Sequence, residues 1–129
     1  LKVGILDLKM FRPFPADLVT RLLAGKRAVV VMERTDQPLA VDPPLLREIR
    51  AAMAQGVENA RALAARDSRR SADAALPHPR VTPVAADAVP DFFSACFGLG
   101  SRDLQPGDIV AAIDNMRPDG AGRRQFYLG

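Results

Sequence analysis

The first third of the chain predicts a strand, a helix and a second strand, in that order. Residues 2–10 (KVGILDLKM) are apolar-rich with partial alternation, which indicates a strand that runs into the proline-containing turn FRPFP. A short amphipathic helix follows, because Pro15 suits a first turn, Asp17 suits its positive end and Gly25 ends it. Its apolar stripe is Leu18, Val19, Leu22 and Leu23. Residues 28–32 (AVVVM) are typical of a parallel strand buried on both faces.

The middle of the chain predicts a second helix followed by a polar segment. Asp42 is a suitable N-cap, Pro43 suits the first helical position, and Gly56 is the predicted end. The apolar stripe between them is Leu45, Leu46, Ile49 and Met53. Alanine, arginine, aspartate and serine dominate residues 57–80, of which 57–66 are compatible with a helix. The remainder, DSRRSADAALPHP, predicts a loop that is the most mobile segment.

The last third predicts two more strands and a third helix. Residues 81–84 indicate a short extended piece at an edge because of Pro83, and residues 92–97 (FFSACF) indicate a better strand. The turn GLGS then precedes a helix that opens at Pro106 and stops near Pro118. Its stripe, predicted to face the core, is Ile109, Val110, Ile113 and Met116. The terminal RRQFYLG predicts a final strand.

This alternation of strands and helices predicts an α/β fold in which helices cover a mostly parallel sheet in three layers. The chain has 129 residues, 48% hydrophobic and 26% charged, which is typical of one ordered domain. It begins at Leu1 without a methionine and stops at FYLG, which suggests excision from a longer polypeptide.

Composition argues against several classes of protein. The formal charge is only +3 with acids and bases interleaved, and one tyrosine with no tryptophan leaves little for base stacking, so we expect no nucleic-acid partner. A single cysteine excludes an internal disulfide and cannot by itself ligate an iron–sulfur cluster or a structural zinc. No apolar run approaches the roughly 20 residues that span a bilayer. We therefore expect a soluble, cytoplasmic protein with no membrane partner.

Three features with chemical potential have simpler interpretations. His78 lies between two prolines with no acid or cysteine placed to orient it, which predicts an exposed loop histidine. Cys96, in an apolar run with no adjacent base, predicts a buried packing thiol. The turn Gly98-Leu99-Gly100-Ser101 resembles a phosphate-binding loop but lacks its third glycine and lysine, so a tight turn with positive φ is favoured.

Polar residues at the end of the second strand are the more interesting candidates. Glu33, Arg34 and Thr35 follow a central strand, at the edge where α/β folds place ligands or partners, and Arg12 is a candidate to join them. They either bind neighbouring domains or a second subunit, or form an intradomain ion pair that fixes the loop. Four arginines interleaved with acids predict a solvated face rather than an acidic partner's site: Arg61, Arg66, Arg69 and Arg70.

Four stretches in order resemble one protein family. They are VGILDLKMFRPFP at 3–15, VVMERTDQP at 30–38, FGLGSRDLQPGDIVAAIDNM at 97–116 and FYLG at 126–129. They look like the second domain of pyruvate:ferredoxin/flavodoxin oxidoreductases, and the likeness covers most of the chain except about 57–90. The resemblance implies a transketolase C-terminal-like domain over 1–129, with a variable insertion at about 57–90. Its expected fold is a three-layer α/β/α sandwich with a mostly parallel mixed sheet of about five strands.

The resemblance also implies a parent enzyme that decarboxylates a 2-oxoacid on thiamine diphosphate with magnesium, passes electrons through [4Fe-4S] clusters to ferredoxin or flavodoxin, and forms acyl-coenzyme A. No thiamine-binding signature occurs here, so we expect no catalytic, cofactor or metal residues in this chain. Its expected role is packing against neighbouring domains and assembling a homodimer. The candidate interface residues are Arg12, Glu33, Arg34, Thr35, Gly98, Leu99, Gly100 and Ser101.

Two other hypotheses stay open. One is a free-standing interaction or regulatory module derived from that domain. The other is a nucleotide-binding, flavodoxin-like domain, which rests only on the glycine turn and the α/β pattern.

Overall fold

A computed structural model describes residues 1–66 and 75–129. Their helices and strands are α1 (Ala16–Leu23), β1 (Ala28–Glu33), α2 (Pro44–Ala64), β2 (Asp91–Cys96), α3 (Pro106–Asn115) and β3 (Gln125–Tyr127). Two short 3-10 turns lie at Ala86–Ala88 and Leu99–Ser101. The predicted α/β class is confirmed.

The three strands form one parallel sheet in the order β1-β2-β3. Ala28 pairs with Asp91 and Glu33 with Cys96, while Ser94 pairs with Gln125. The described residues therefore contain three parallel strands, and the prediction of about five strands in a mixed sheet is wrong for this part of the chain. Parallel pairing places the carboxyl ends of all three strands at one edge of the sheet.

The strand predicted at residues 2–10 is not formed. These residues have no regular structure and are almost all exposed, with Leu1, Val3 and Ile5 each at least half accessible. Their apolar pattern is typical of a strand, but a strand also needs a neighbouring backbone for its hydrogen bonds. Among the described strands, β1 pairs with β2 alone.

Gly56 was predicted to end the second helix, yet α2 continues to Ala64. The glycine instead allows the loop at Thr82 to pack closely on the helix, because a Cβ at position 56 would lie 3.0 Å from the carbonyl oxygen of Thr82. The N–H of Val84 donates to the carbonyl of Gly56 at 2.9 Å. Residues 81–84 consequently pack along the helix as a loop with Val81 and Val84 buried, and the extended edge piece predicted there is absent.

The core lies between the first two helices and the first two strands. Its members are apolar side chains at most 8% exposed: Val19, Leu23, Val31, Leu46, Ile49, Met53, Val84 and Phe92. Of the predicted α1 stripe, Leu18 and Leu22 are nearly half exposed. Helix α1 packs on α2, so the two helices and the strands β1 and β2 form one buried unit.

Helix α3 departs from its predicted orientation. Ile109 and Val110, expected to face the core, are 39% and 57% exposed, and Ala112 is the buried residue of this helix. Its N-terminus is closed locally, since the N–H of Gln105 donates to Asp108 at 2.8 Å. The other two members of the predicted stripe, Ile113 and Met116, are half-buried. An apolar stripe predicts a covered face but not which element covers it, and the described residues cover this face only in part.

The loop predicted between residues 67 and 80 lies partly outside the described residues. Arg69 and Arg70 belong to that part, so the structure does not test the predicted mobility of the loop. The helix thought compatible with 57–66 is present as the last turns of α2. None of the helices in the described ranges is both long enough and apolar enough to cross a membrane.

Candidate functional site

All the candidate residues except Arg12 lie at the carboxyl edge of the sheet. This edge consists of Glu33–Asp36 at the end of β1, Gly98–Ser101 after β2, and Tyr127 at the end of β3. The strands are parallel and in register, so the three segments are neighbours. This is the edge at which open α/β sheets usually bind ligands or partners.

Glu33 is turned inward at this edge. It is only 9% exposed, and its two carboxylate oxygens accept hydrogen bonds from the N–H groups of Leu45 and Leu46 at 2.7 and 3.2 Å. These donors belong to the first turn of α2, where backbone N–H groups lack helical partners. Of the two roles left open for Glu33, the structure shows an intradomain one, with a helix N-terminus as partner instead of an arginine.

Arg34 lies over the turn that follows β2. Its Nε donates to the carbonyl of Gly98 at 3.1 Å, and a Cβ on Gly98 would come within 2.9 Å of that same Nε. The turn glycine therefore makes room for the arginine side chain. The single hydrogen bond uses Nε and leaves the two terminal nitrogens, which form the planar fork of the guanidinium, outside it.

The Gly98–Ser101 turn has the positive φ angles that its sequence predicted. Gly98, Gly100 and Ser101 have φ of 69°, 63° and 62°. Ser101 is not a glycine, and the pattern gave no sign that it would adopt this conformation. Leu99, between the two glycines, is 43% exposed.

Two side-chain bonds link the last residues of β2 and β3 to the segment that follows β1. The Cys96 Sγ donates to the carbonyl of Thr35 at 3.0 Å, and the Tyr127 hydroxyl donates to Asp36 at 3.0 Å. Burial raises the pKa of the Cys96 thiol, so it is a packing thiol as predicted. The bond to Asp36 raises the pKa of Tyr127. Asp36 and Tyr127 were not among the predicted site residues. Their positions at the carboxyl ends of β1 and β3 could have indicated them.

Arg12 does not join this group. Its guanidinium lies 2.8 Å from Glu48 of α2 and 4.3 Å from the ring centroid of Phe11. No described hydrogen bond or ion pair links it to Glu33, Arg34 or Thr35. Arg12 is therefore bonded to α2 through Glu48, one turn along the helix from Leu45 and Leu46, whose N–H groups bond to Glu33.

His78 has the acid partner that sequence proximity did not reveal. Its Nε2 lies 2.6 Å from Glu58 Oε2, and its ring is half-buried rather than exposed. Asn59, which is 0% exposed, holds the same loop by donating to the carbonyls of His78 and Val81 and accepting from the His78 N–H. One signal in the sequence could have indicated this role: Asn59 is a polar residue at a position that continues the apolar stripe of α2, about one turn beyond Gly56.

Away from this edge, a shallow groove of about 320 Å³ lies between α2 and the start of β2. Arg50 borders it and is already engaged, through a 2.8 Å ion pair with Asp42 and a position 5.3 Å above the Phe92 ring. Arg61 also borders the groove, on the exposed side of α2. Residues 1–66 and 75–129 contain no cluster of three or more histidine, cysteine, aspartate or glutamate side chains suited to a metal ion.

Comparison with known proteins places the sequence in one enzyme family. Residues 1–70 match the model of pyruvate:ferredoxin oxidoreductase core domain II. The chain is 26% identical to the pyruvate-flavodoxin oxidoreductase of Nostoc sp. (strain PCC 7120), over 99% of this chain and 9% of that protein. It is 30% identical to pyruvate synthase subunit PorA of Thermotoga maritima, over 99% of this chain and 25% of that subunit.

A third relative is the probable pyruvate-flavodoxin oxidoreductase of Escherichia coli K12, 37% identical over 89% of this chain and 8% of that protein. No solved structure matches the chain. The chain thus spans a quarter or less of the length of these relatives. Since the family model matches more than half of its residues, the chain belongs to the pyruvate:ferredoxin oxidoreductase core domain II family.

Proposed function

We propose that this chain is a non-catalytic structural domain of a thiamine diphosphate-dependent pyruvate (2-oxoacid):ferredoxin/flavodoxin oxidoreductase that forms acyl-coenzyme A in the cytoplasm. Its role is interdomain packing and the assembly of a homodimer. The observation that carries this proposal is membership of the core domain II family by a chain that spans 9% of one relative and 25% of another. The transketolase C-terminal-like, three-layer arrangement of residues 1–129 is part of the same proposal.

The parent enzyme's cofactors do not fit the residues described here. A [4Fe-4S] cluster takes about four cysteine thiolates, whereas this chain has one cysteine, whose thiol is buried against Thr35. Magnesium on a diphosphate needs carboxylate or amide oxygens that converge, and the carboxylate of Glu33 is already engaged by two N–H groups. We therefore assign no step of the reaction to this chain and place those cofactors, with coenzyme A, in the parent's other domains.

Exposed apolar side chains support the packing role. Val3, Ile5 and Met10 of the N-terminal segment, and Val110 of α3, are all at least half exposed. Large apolar side chains in such numbers are typical of surfaces that are covered in an assembly.

The test uses the full-length protein that contains this sequence, purified without oxygen. We expect pyruvate- and coenzyme A-dependent reduction of flavodoxin or ferredoxin, with thiamine diphosphate and magnesium present, and a light-scattering mass of two copies. The 129-residue chain assayed alone should show no decarboxylation. A full-length protein without thiamine-binding motifs and without 2-oxoacid-dependent reduction would favour the free-standing interaction module, and turnover by the 129-residue chain alone would refute the structural role.

A further inference from the structure

We propose that the guanidinium of Arg34 is a preformed anchor that receives a carboxylate side chain from a neighbouring domain of the parent polypeptide. This inference rests on the proposed function and specifies one contact of the packing surface. It concerns the two terminal nitrogens of Arg34, which its bond to Gly98 leaves unused.

The arginine side chain is held in place before any partner arrives. Its Nε is fixed 3.1 Å from the carbonyl of Gly98, and its aliphatic part packs on that glycine, where a Cβ would lie 3.1 Å from both Cγ and Cδ. Gly98 itself is buried with φ of 69°. A guanidinium oriented by these contacts loses less conformational freedom on binding than an unrestrained one, so its remaining donors are placed to bind a planar oxyanion through two bonds.

The carboxylates beside Arg34 along the chain are engaged elsewhere. Glu33 accepts two N–H bonds from α2, and Asp36 accepts the Tyr127 hydroxyl. Within the described residues, Arg34 takes part in none of the ion pairs, which involve other arginines, one lysine and His78. Arg34 therefore forms no ion pair in the part of the chain that the structure describes.

The surroundings favour a protein partner over a small anion. Large apolar side chains are exposed in the loops that leave the carboxyl ends of the strands: Leu39 and Val41 after β1 and Leu99 after β2. Tyr127, 66% exposed, ends β3 at the same edge. Arginine, tyrosine and large apolar side chains together are the composition enriched at protein interfaces, in which arginine and tyrosine often contribute most of the binding energy.

The test is zero-length carbodiimide cross-linking of the full-length protein carrying Arg34→Lys, followed by peptide mass spectrometry. The substitution keeps the charge and places a primary amine where a carboxylate is expected. We expect a cross-link from position 34 to an aspartate or glutamate outside residues 1–129. Arg124→Lys is the positive control, because Arg124 lies 3.1 Å from Asp91 and should give an internal cross-link. Arg61→Lys, on the exposed side of α2, is the matched control for a surface amine.

Cross-links from position 34 only to carboxylates within this chain, or none while the Arg124→Lys control succeeds, would overturn the proposal. A second measurement avoids substitution altogether. In the unmodified full-length protein, phenylglyoxal should modify Arg34 at least tenfold more slowly than free N-acetylarginine, because its terminal nitrogens are occupied. Modification at the free rate would contradict the contact, as would protection that appears only when inorganic phosphate is added. Pyruvate-dependent activity in the same preparation tests the proposed function separately, so an active enzyme with an unprotected Arg34 refutes only this inference.

Discussion

Apolar side chains are buried in one region of the molecule and mostly exposed in two others. The inner region runs from Phe14 to Gly98, and the two outer segments are 1–11 and 99–129. Among the described residues, the inner region holds nearly all the buried ones, including Val19, Leu46 and Met53. In the outer segments Ala112 alone is buried, although both contain large apolar side chains such as Ile5 and Val110. The difference teaches that this chain closes its own core with α1, α2, β1 and β2 and leaves the apolar sides of its outer segments open.

The largest effect should separate the two regions directly. Leu46→Ala removes a side chain that is 1% exposed and should lower the free energy of unfolding by about 2–5 kcal/mol. Val110→Ala, at 57% exposure on α3, should change it by about 0.5 kcal/mol or less. Urea denaturation of the 129-residue chain measures both values. Equal losses would mean that α3 belongs to the same core.

A smaller loss is expected from the buried carboxylate that joins β1 to α2. Glu33→Ala leaves the N–H groups of Leu45 and Leu46 without their acceptor and should cost about 1–3 kcal/mol. Glu48→Ala is the control, since its ion pair with the 61%-exposed Arg12 side chain should contribute about 1 kcal/mol at most. If the two substitutions cost the same, Glu33 does not close the helix end as described.

The turn at the carboxyl edge offers a matched pair of glycines. Gly98→Ala and Gly100→Ala both force a side chain to positive φ, which should cost about 1–2 kcal/mol each. Only Gly98 also has Arg34 within 3.1 Å of the new Cβ, whereas nothing lies within 4 Å at Gly100. The extra loss at Gly98 should therefore disappear in an Arg34→Ala background, as a double-mutant cycle would measure. An unchanged excess would show that Arg34 is not the neighbour responsible.

The smallest effect concerns the link between α1 and the loop over α2. The hydroxyl and N–H of Thr82 both donate to Asp17, which lowers its pKa. A pKa lower in the folded than in the unfolded chain means that the stabilisation is fully present above about pH 4 and is lost as the pH falls through the folded value.

Thr82→Val removes the hydroxyl donor, so the pKa of Asp17 should rise towards its ordinary value. Carboxyl-carbon NMR titration measures this shift directly. The stability lost between pH 5 and pH 3 should also be smaller in the variant than in the unsubstituted chain. The same titration curve for both proteins would show that the Thr82 hydroxyl does not contribute.

The sequence predicted the individual helices and strands of this fold better than it predicted which elements pack against each other. The strands β1, β2 and β3 and all three helices were found, because apolar periodicity and proline or glycine signals act over a few residues. The positive φ of Gly98 and the inert burial of Cys96 were also readable, since each depends on adjacent residues. The prediction that Gly56 ends α2 was wrong because glycine, which often ends helices, can also lie inside a helix where another backbone segment packs closely against it.

What only the tertiary structure decided is the set of partners across long sequence separations. Residues 2–10 have a strand's pattern but pair with none of the described strands, and the apolar stripe of α3 leaves Ile109 and Val110 exposed. The partner of Glu33 was equally invisible. Adjacent residues of a strand point to opposite sides of the sheet, but which side meets the N-terminus of α2 depends on how elements distant in sequence pack. Glu33 is consequently buried against a helix end, while Arg34 keeps free donors at the surface.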